Sequence, residues 1–168
     1  MRPCRKWFPA ALLAIYLSGG ALLAADGLST QDLAFLQSAA RAGATEIRLG
    51  QLAIQKATSQ AVKNLGQRMV DDHTRANQEL ATIAQRKGVM LPGEDEAALA
   101  ASPASQTAGP EFDRLFSGIV VSEHSAEIGM FETEVKSGQD LDVKNWATKV
   151  LPTLKTHWAD AKALPKEP

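Results

Sequence analysis

Residues 110–138 read PEFDRLFSGIVVSEHSAEIGMFETEVKSG. Phe112, Phe116, Val120, His124, Ile128, Phe131 and Val135 recur there at three- and four-residue steps, the period of an α-helix with one apolar face. Pro110 suits the first helical position, and Glu111 and Asp113 complement the positive end of the helix dipole. Gly138 marks the stop. In the middle of this apolar face stands a histidine, and the same combination recurs elsewhere in the chain.

After Gly138, Asp140 is placed to cap a fourth helix whose inner face carries Val143, Ala147, Val150, Leu154, His157 and Ala161. Pro152 removes a backbone donor and is expected to kink this helix about one turn before His157. Upstream, Val62, Met69, His73, Ala76, Leu80 and Ile83 line a second helix, with Thr58 or Ser59 as its cap and Gly88 followed by Pro92 as its end. The first helix opens at Ser29 with Asp32 three residues on, the capping-box spacing, flanked by Leu28 and Leu33 as a hydrophobic staple. Its predicted stripe is Leu33, Leu36, Ala40, Gly43, Ile47, Gly50 and Ile54, ending near Ala57. Small residues in that stripe let a neighbouring helix approach closely. Residues 91–109, rich in Pro, Gly, Ser, Ala and acidic side chains, form a longer loop, with a short helical turn expected around Glu94 to Ala101. The prediction is an all-α, antiparallel four-helix bundle with its long connection between helices two and three.

Composition agrees. Hydrophobic residues make up 45% of the 168, which supports a packed core, and only 5% are aromatic. Residues 1–25 are expected to lie outside the fold. Arg2, Arg5 and Lys6 form a basic start, Trp7 to Leu23 is apolar, and Ala24-Ala25 supplies small residues before Asp26, the plan of a secretory signal peptide. An uncleaved N-terminal anchor is the alternative, and membrane association is expected only in that case. The single domain then spans residues 26–168. Cys4 is the only cysteine, so the mature chain has no disulfide, thiolate ligand or thiol nucleophile. Loss of Arg2, Arg5 and Lys6 takes the net charge from −1 to −4 and leaves no basic cluster, which argues against nucleic acid as a partner.

His73, His124 and His157 are all the histidines, and each sits on a core-facing stripe. Counted from the helix ends at 1.5 Å per residue, their depths agree to within roughly one turn, and Glu46 falls near the level of His73. Neutral imidazoles at one level suit Zn²⁺ or Cu²⁺, with Glu46 as a fourth ligand or as an acceptor behind the ligands. They equally suit buried polar groups that satisfy one another. A di-iron centre is disfavoured, because the residues three before the histidines are Val70, Val121 and Leu154, which breaks the Glu-x-x-His pattern. Asp71 and Asp72 are expected to pair with Arg68 and Arg75 at helical spacing. No catalytic set is legible: Ser122 and Ser125 beside His124 face other directions.

Asp32 to Phe35, Glu46 through Gly50-Gln51-Leu52-Ala53, Met69-Val70-Asp71-Asp72-His73 with Asn77, Phe112 with His124, and Leu151-Pro152-x-Leu154-x-x-His157 together resemble a bacterial exported family. It is the family catalogued as domain of unknown function 4142. The resemblance implies a ferritin-like four-helix bundle in the periplasm or outer-membrane envelope of a Gram-negative bacterium, and implies no reaction. Three expectations follow. The first is a non-catalytic binding or structural module with an envelope protein partner. The second is a zinc or copper protein using His73, His124, His157 and Glu46. The third is an acid- or stress-responsive protein whose buried neutral histidines lose stability below about pH 6.5.

Overall fold

The computed structural model describes residues 27–93 and 102–165; the expected export segment at 1–25 and the expected turn at 94–101 lie outside them. The described residues form α1 (Thr30–Lys56), α2 (Gln60–Arg86), a one-turn α3 (Pro103–Gln106), α4 (Gly109–Ser137) and α5 (Leu141–Ala163). Two hairpins, α1–α2 and α4–α5, each pack along their length, and they join through α1 against α4 and α2 against α5. The result is a four-helix bundle, with α3 inside the long connection. No described helix is long and apolar enough to cross a membrane.

The helix ends follow the sequence, with one substitution of partner. The Asp32 backbone N–H donates to Ser29 Oγ at 3.1 Å, and the Ser29 hydroxyl donates to the Asp32 carboxylate at 2.6 Å. Asp140 caps α5 by accepting from the backbone N–H groups of Asp142 and Val143. Gly88 leaves α2 at φ 67°, a left-handed turn that glycine adopts without strain. Neither hydroxyl caps α2 through its own side chain. Asp113 of α4 does the work instead, accepting from the Thr58 and Ser59 backbone N–H groups and from the Thr58 hydroxyl. Asp113 therefore ties the α1–α2 turn to α4, beyond its expected service to its own helix dipole.

The buried faces are rotated from the predicted stripes in two helices. In α1 the core residues are Phe35, Leu36, Ala39, Ala40, Gly43, Glu46, Leu49, Gly50 and Ala53, while Ile54 is exposed. In α4 the steps from Phe112 to Phe116, Val120 and His124 are all four residues long. Each such step overshoots a full turn by about 40°, so the next inward position arrives after three residues. Glu127 and Glu134 accordingly take the buried places that the pattern assigned to Ile128 and Val135. In α5 the helix runs through Pro152 to Ala163 without a break, and Trp146 joins the core.

Asp32 is fully buried and also accepts from the backbone N–H groups of Gln139 and Asp140, fastening the start of α1 to the α4–α5 turn. Burial pushes its carboxyl up, but these donors and the Ser29 hydroxyl outweigh that and hold it below its usual value. Glu134 lies against it, and burial followed by the contact with Asp32 raises Glu134 to about 7.

The apolar interior falls into two clusters. One gathers Leu49, Leu65, Met69, Phe112, Phe116 and Val120, and the other Phe35, Leu36, Leu80, Phe131, Trp146 and Leu154. Between them runs a polar layer.

Candidate metal centre

Each of the four long helices contributes to that layer. Glu46 comes from α1, His73 from α2, His124 and Glu127 from α4, and His157 from α5, all of them buried. The structure thus brings the four sequence-predicted residues together at mid-bundle. The imidazole centroids form a near-equilateral triangle with sides of 5.3, 5.4 and 5.6 Å. Each ring offers a nitrogen that lies within 4.8 Å of the other two.

The two nitrogens of each ring face different surroundings. His124 Nε2 stands 3.3 Å from His157 Nδ1. On their far sides, His124 Nδ1 is 2.9 Å from Glu46 Oε1, and His157 Nε2 is 3.1 Å from Asp72 Oδ2. His73 Nδ1 is 3.2 Å from Glu46 Oε2, while its Nε2 is buried without a partner. Glu46 therefore stands behind two imidazoles and Asp72 behind the third. The Glu46 contacts with the imidazoles are close but not aligned as full hydrogen bonds, so His124 Nδ1 gains none from Glu46, whose side-chain hydrogen bond is to Glu127. Buried polar atoms are nearly always paired in folded proteins, and a cluster of orphans at one point calls for an explanation.

Burial sets the protonation states. It lowers His73 well below its usual value, with the neighbouring imidazoles His157 and His124 adding to the effect. His124 is lowered by burial against the opposing pull of Glu127 and Glu123, and His157 by burial and His124 against that of Asp72. Burial raises Glu46 to about 8 and Glu127 well above the carboxylate range. Neutral imidazoles are the ligating form. The donor set, three imidazoles with no sulfur, fits zinc or copper. The 3.3 Å separation matches the edge of a tetrahedron with metal–nitrogen bonds near 2.05 Å, which is about 3.3 Å.

These shifts predict how the metal-free protein responds to pH. Above about pH 6.5 Glu46 and Glu134 still hold protons in the folded chain, up to about 8 and 7, that the unfolded chain has already lost. The stabilisation this represents is full below the unfolded value near 4.5 and is lost as pH rises through the folded values. The unfolded histidines, with ordinary values near 6.5, finish releasing protons within about one unit above that, a small gain in stability that partly offsets the loss from the carboxyls. Tm is therefore expected to fall by roughly 3–6 °C between pH 6.5 and 8.5. Glu134→Gln should remove part of that slope. Thermal melts in the presence of chelator decide it, and a Tm that rises over this range contradicts the assignment.

Sequence reasoning missed two members of the layer. Glu127 lies three residues after His124, on the same helical face, whereas the Glu-x-x-His pattern places its carboxylate before the histidine. Asp72, next to His73 in sequence and so about 100° away around the helix, reaches His157 on another helix. It also pairs with Arg75 as expected, at 3.2 Å. Asp71 instead accepts from Gln67, and Arg68 pairs with Asp160 of α5.

Two clefts approach the layer from opposite sides. One of about 70 Å³, between α2 and α5, is bordered by Asp72, His73 and Leu154. Another of about 430 Å³, between α1 and α4, is floored by Glu46 and Glu127.

A match over residues 19–164 connects this chain with the family described as Domain of unknown function (DUF4142). The chain belongs to that family. Comparison with curated proteins returns no match. Among solved structures, CopM in its Cu(I)-bound form is similar at 20% identity and a TM-score of 0.64, covering 79% of this chain and 93% of that one. CopM in its Ag-bound form, obtained by soaking, has the same identity and TM-score and covers 79% and 92%. A DUF305 fragment from Deinococcus radiodurans is similar at 16% identity and a TM-score of 0.67, covering 82% and 97%. At these identities the likeness is one of fold, and it agrees with the all-α bundle of this DUF4142 chain.

Proposed function

We propose that this chain is a transition-metal-binding protein of the bacterial cell envelope that holds one zinc or copper ion between His73, His124 and His157. The observation that carries this reading is the division of labour within each ring. His124 and His157 turn one nitrogen toward each other and the opposite nitrogen toward a carboxylate, and His73 has Nδ1 against Glu46 and Nε2 buried without a partner. Carboxylates behind ligating histidines fix the tautomer and raise ligand basicity. With its proton on Nδ1, toward Glu46, His124 has Nε2 free to ligate. With its proton on Nε2, toward Asp72, His157 has Nδ1 free. His73 follows the same rule, and its unpartnered Nε2 gains a bond. Bound there, the ion supplies a positive charge that compensates the buried carboxylate.

The metal-bound forms of CopM are compatible support, since a bundle of this shape accommodates Cu(I) and Ag. The basic and apolar N-terminal segment supports export, and an envelope protein partner fits a binding role that needs no nucleophile.

Untagged protein stripped with chelator is the material for the test. Titration with Zn²⁺, and separately with Cu(I) under reducing conditions, is expected to saturate at one tightly held equivalent. His73→Ala and His157→Ala should each weaken that equivalent by at least 100-fold while the far-UV spectrum stays helical. Binding that neither substitution changes, or no binding by the native protein, removes the proposal. The chain then returns to a structural module held together by buried polar contacts.

A further inference from the structure

The carboxylates on the α1–α4 side of the layer make a second constellation. A carboxylate oxygen of Glu46, a carboxylate oxygen of Glu127 and a ring nitrogen of His124 lie within 4.8 Å of one another. The nitrogen of His124 on this side is Nδ1, which approaches Glu46; Nε2 faces the imidazole triangle. Glu46 is 1% exposed and Glu127 8%. Glu46 and Glu127 hydrogen-bond to each other, and among the described residues no N–H or hydroxyl donor bonds either oxygen of Glu46, Oε2 of Glu127 or Oε2 of the neighbouring Glu123.

Glu127 spends a core position of α4 on a carboxyl group whose side-chain hydrogen bond goes to a second buried carboxyl, Glu46, so two acidic groups meet in the interior with no cation beside them among the described residues. The group is also reachable. The cleft between α1 and α4 is bordered by Arg41, Thr45 and Glu123 and opens onto Glu46 and Glu127. Arg41 is exposed at its rim, and Glu123 is the most exposed of the three carboxylates that line it.

We infer that Glu46, Glu127 and His124 form a second cation site, distinct from the three-imidazole triangle, that takes an oxygen-preferring divalent ion of the manganese class through the α1–α4 cleft. Two carboxylates and one imidazole are a harder donor set than three imidazoles, and carboxylate-rich sites favour such ions. Glu123, half-buried at the entrance, is placed to receive the incoming ion before Glu127. The sites share His124 and both involve Glu46; a neutral His124 ligates through Nε2 in the first and through Nδ1 in the second, so the two are alternative occupancies, and His73 and His157 belong only to the first.

Mn²⁺ added to the metal-free protein tests this directly, because the electron paramagnetic resonance signal of the free aqua ion disappears on binding. One Mn²⁺ per chain is expected in the native protein, and it should persist in the His73→Ala/His157→Ala double variant. Glu127→Gln, nearly isosteric and neutral, should weaken Mn²⁺ binding at least tenfold. Zn²⁺ titration of Glu127→Gln, together with its melting curve, reports whether the imidazole triangle and the fold survive. Failure of the native protein to bind Mn²⁺ at millimolar concentration, or affinity unchanged in Glu127→Gln, overturns the second site without touching the first. Loss of Mn²⁺ in the histidine double variant also overturns it, by assigning the ion to the triangle.

Discussion

Zn²⁺ at a thousandfold excess over its Kd is expected to raise the Tm of the metal-free protein by roughly 8–16 °C. A ligand that binds only the folded state at that excess contributes about 4.1 kcal/mol. For a domain of this size each kcal/mol moves Tm by roughly 2–4 °C. The condition of binding only the folded state is met by the geometry: the three histidines lie on three helices and are 33 or more residues apart in sequence, so unfolding disperses them. At the same zinc concentration, His73→Ala or His157→Ala should cut the metal-induced rise to about a third or less. Glu46→Gln should reduce it, since an acceptor behind a ligand is worth about 10–100-fold in affinity. The comparison is made within each variant, with and without metal, because truncating a buried imidazole also leaves a cavity. Equal rises in native and histidine-substituted protein would mean that zinc binds elsewhere.

Gly66→Val is expected to lower stability by about 3 kcal/mol, the upper range for overpacking, which corresponds to a fall in Tm of roughly 6–12 °C. Gly50 and Gly66 face each other at a close approach of α1 and α2. A Cβ at Gly66 would stand 2.7 Å from Ala53 Cβ and 2.8 Å from the Gly50 carbonyl oxygen. One at Gly50 would stand 2.6 Å from the Gly66 carbonyl oxygen. Backbone oxygens held in helical hydrogen bonds cannot swing aside, so the helices must separate along the hairpin that carries both Glu46 and His73. Gly118→Ala on α4 is the control. A Cβ there meets nothing within 4 Å, and alanine is favoured over glycine in a helix by about 1 kcal/mol. The same loss of glycine should therefore be stabilising at 118. Melting curves of the two variants decide the matter, and a neutral Gly66→Val would contradict the close approach.

The one-turn α3 and the partner at the start of α2 were not legible without coordinates, whereas the four long helices, most of their ends and their antiparallel pairing were. They rest on local chemistry: Ser29 with Asp32 at one start, Asp140 at another, Gly88 and Gly138 at the stops, and a period near 3.6 throughout. Those forces act within a turn or two of chain, and sequence displays them in order. The common level of the histidines was legible for a similar reason, because rise per residue is constant and short turns set the relative height of hairpin partners.

What sequence could not supply was rotation about each helix axis. A pattern read as four-residue steps runs ahead of the true period, and in α4 that difference moved Glu127 and Glu134 inward and Ile128 and Val135 partly outward. Contacts between helices were equally hidden. Asp113 caps a turn some 54 residues away, and Asp72 stands behind a histidine 85 residues on.

The amino-acid sequence alone thus determined an α-helical bundle with three histidines turned to its interior, because capping, periodicity and rise are properties of a single helix. Only the tertiary structure decided that their nitrogens converge, that Glu46 and Asp72 stand behind them, and that Glu127 joins the layer. Those relations depend on the phase and spacing of helices against one another, which close packing around glycines such as Gly50 and Gly66 sets and no single segment encodes.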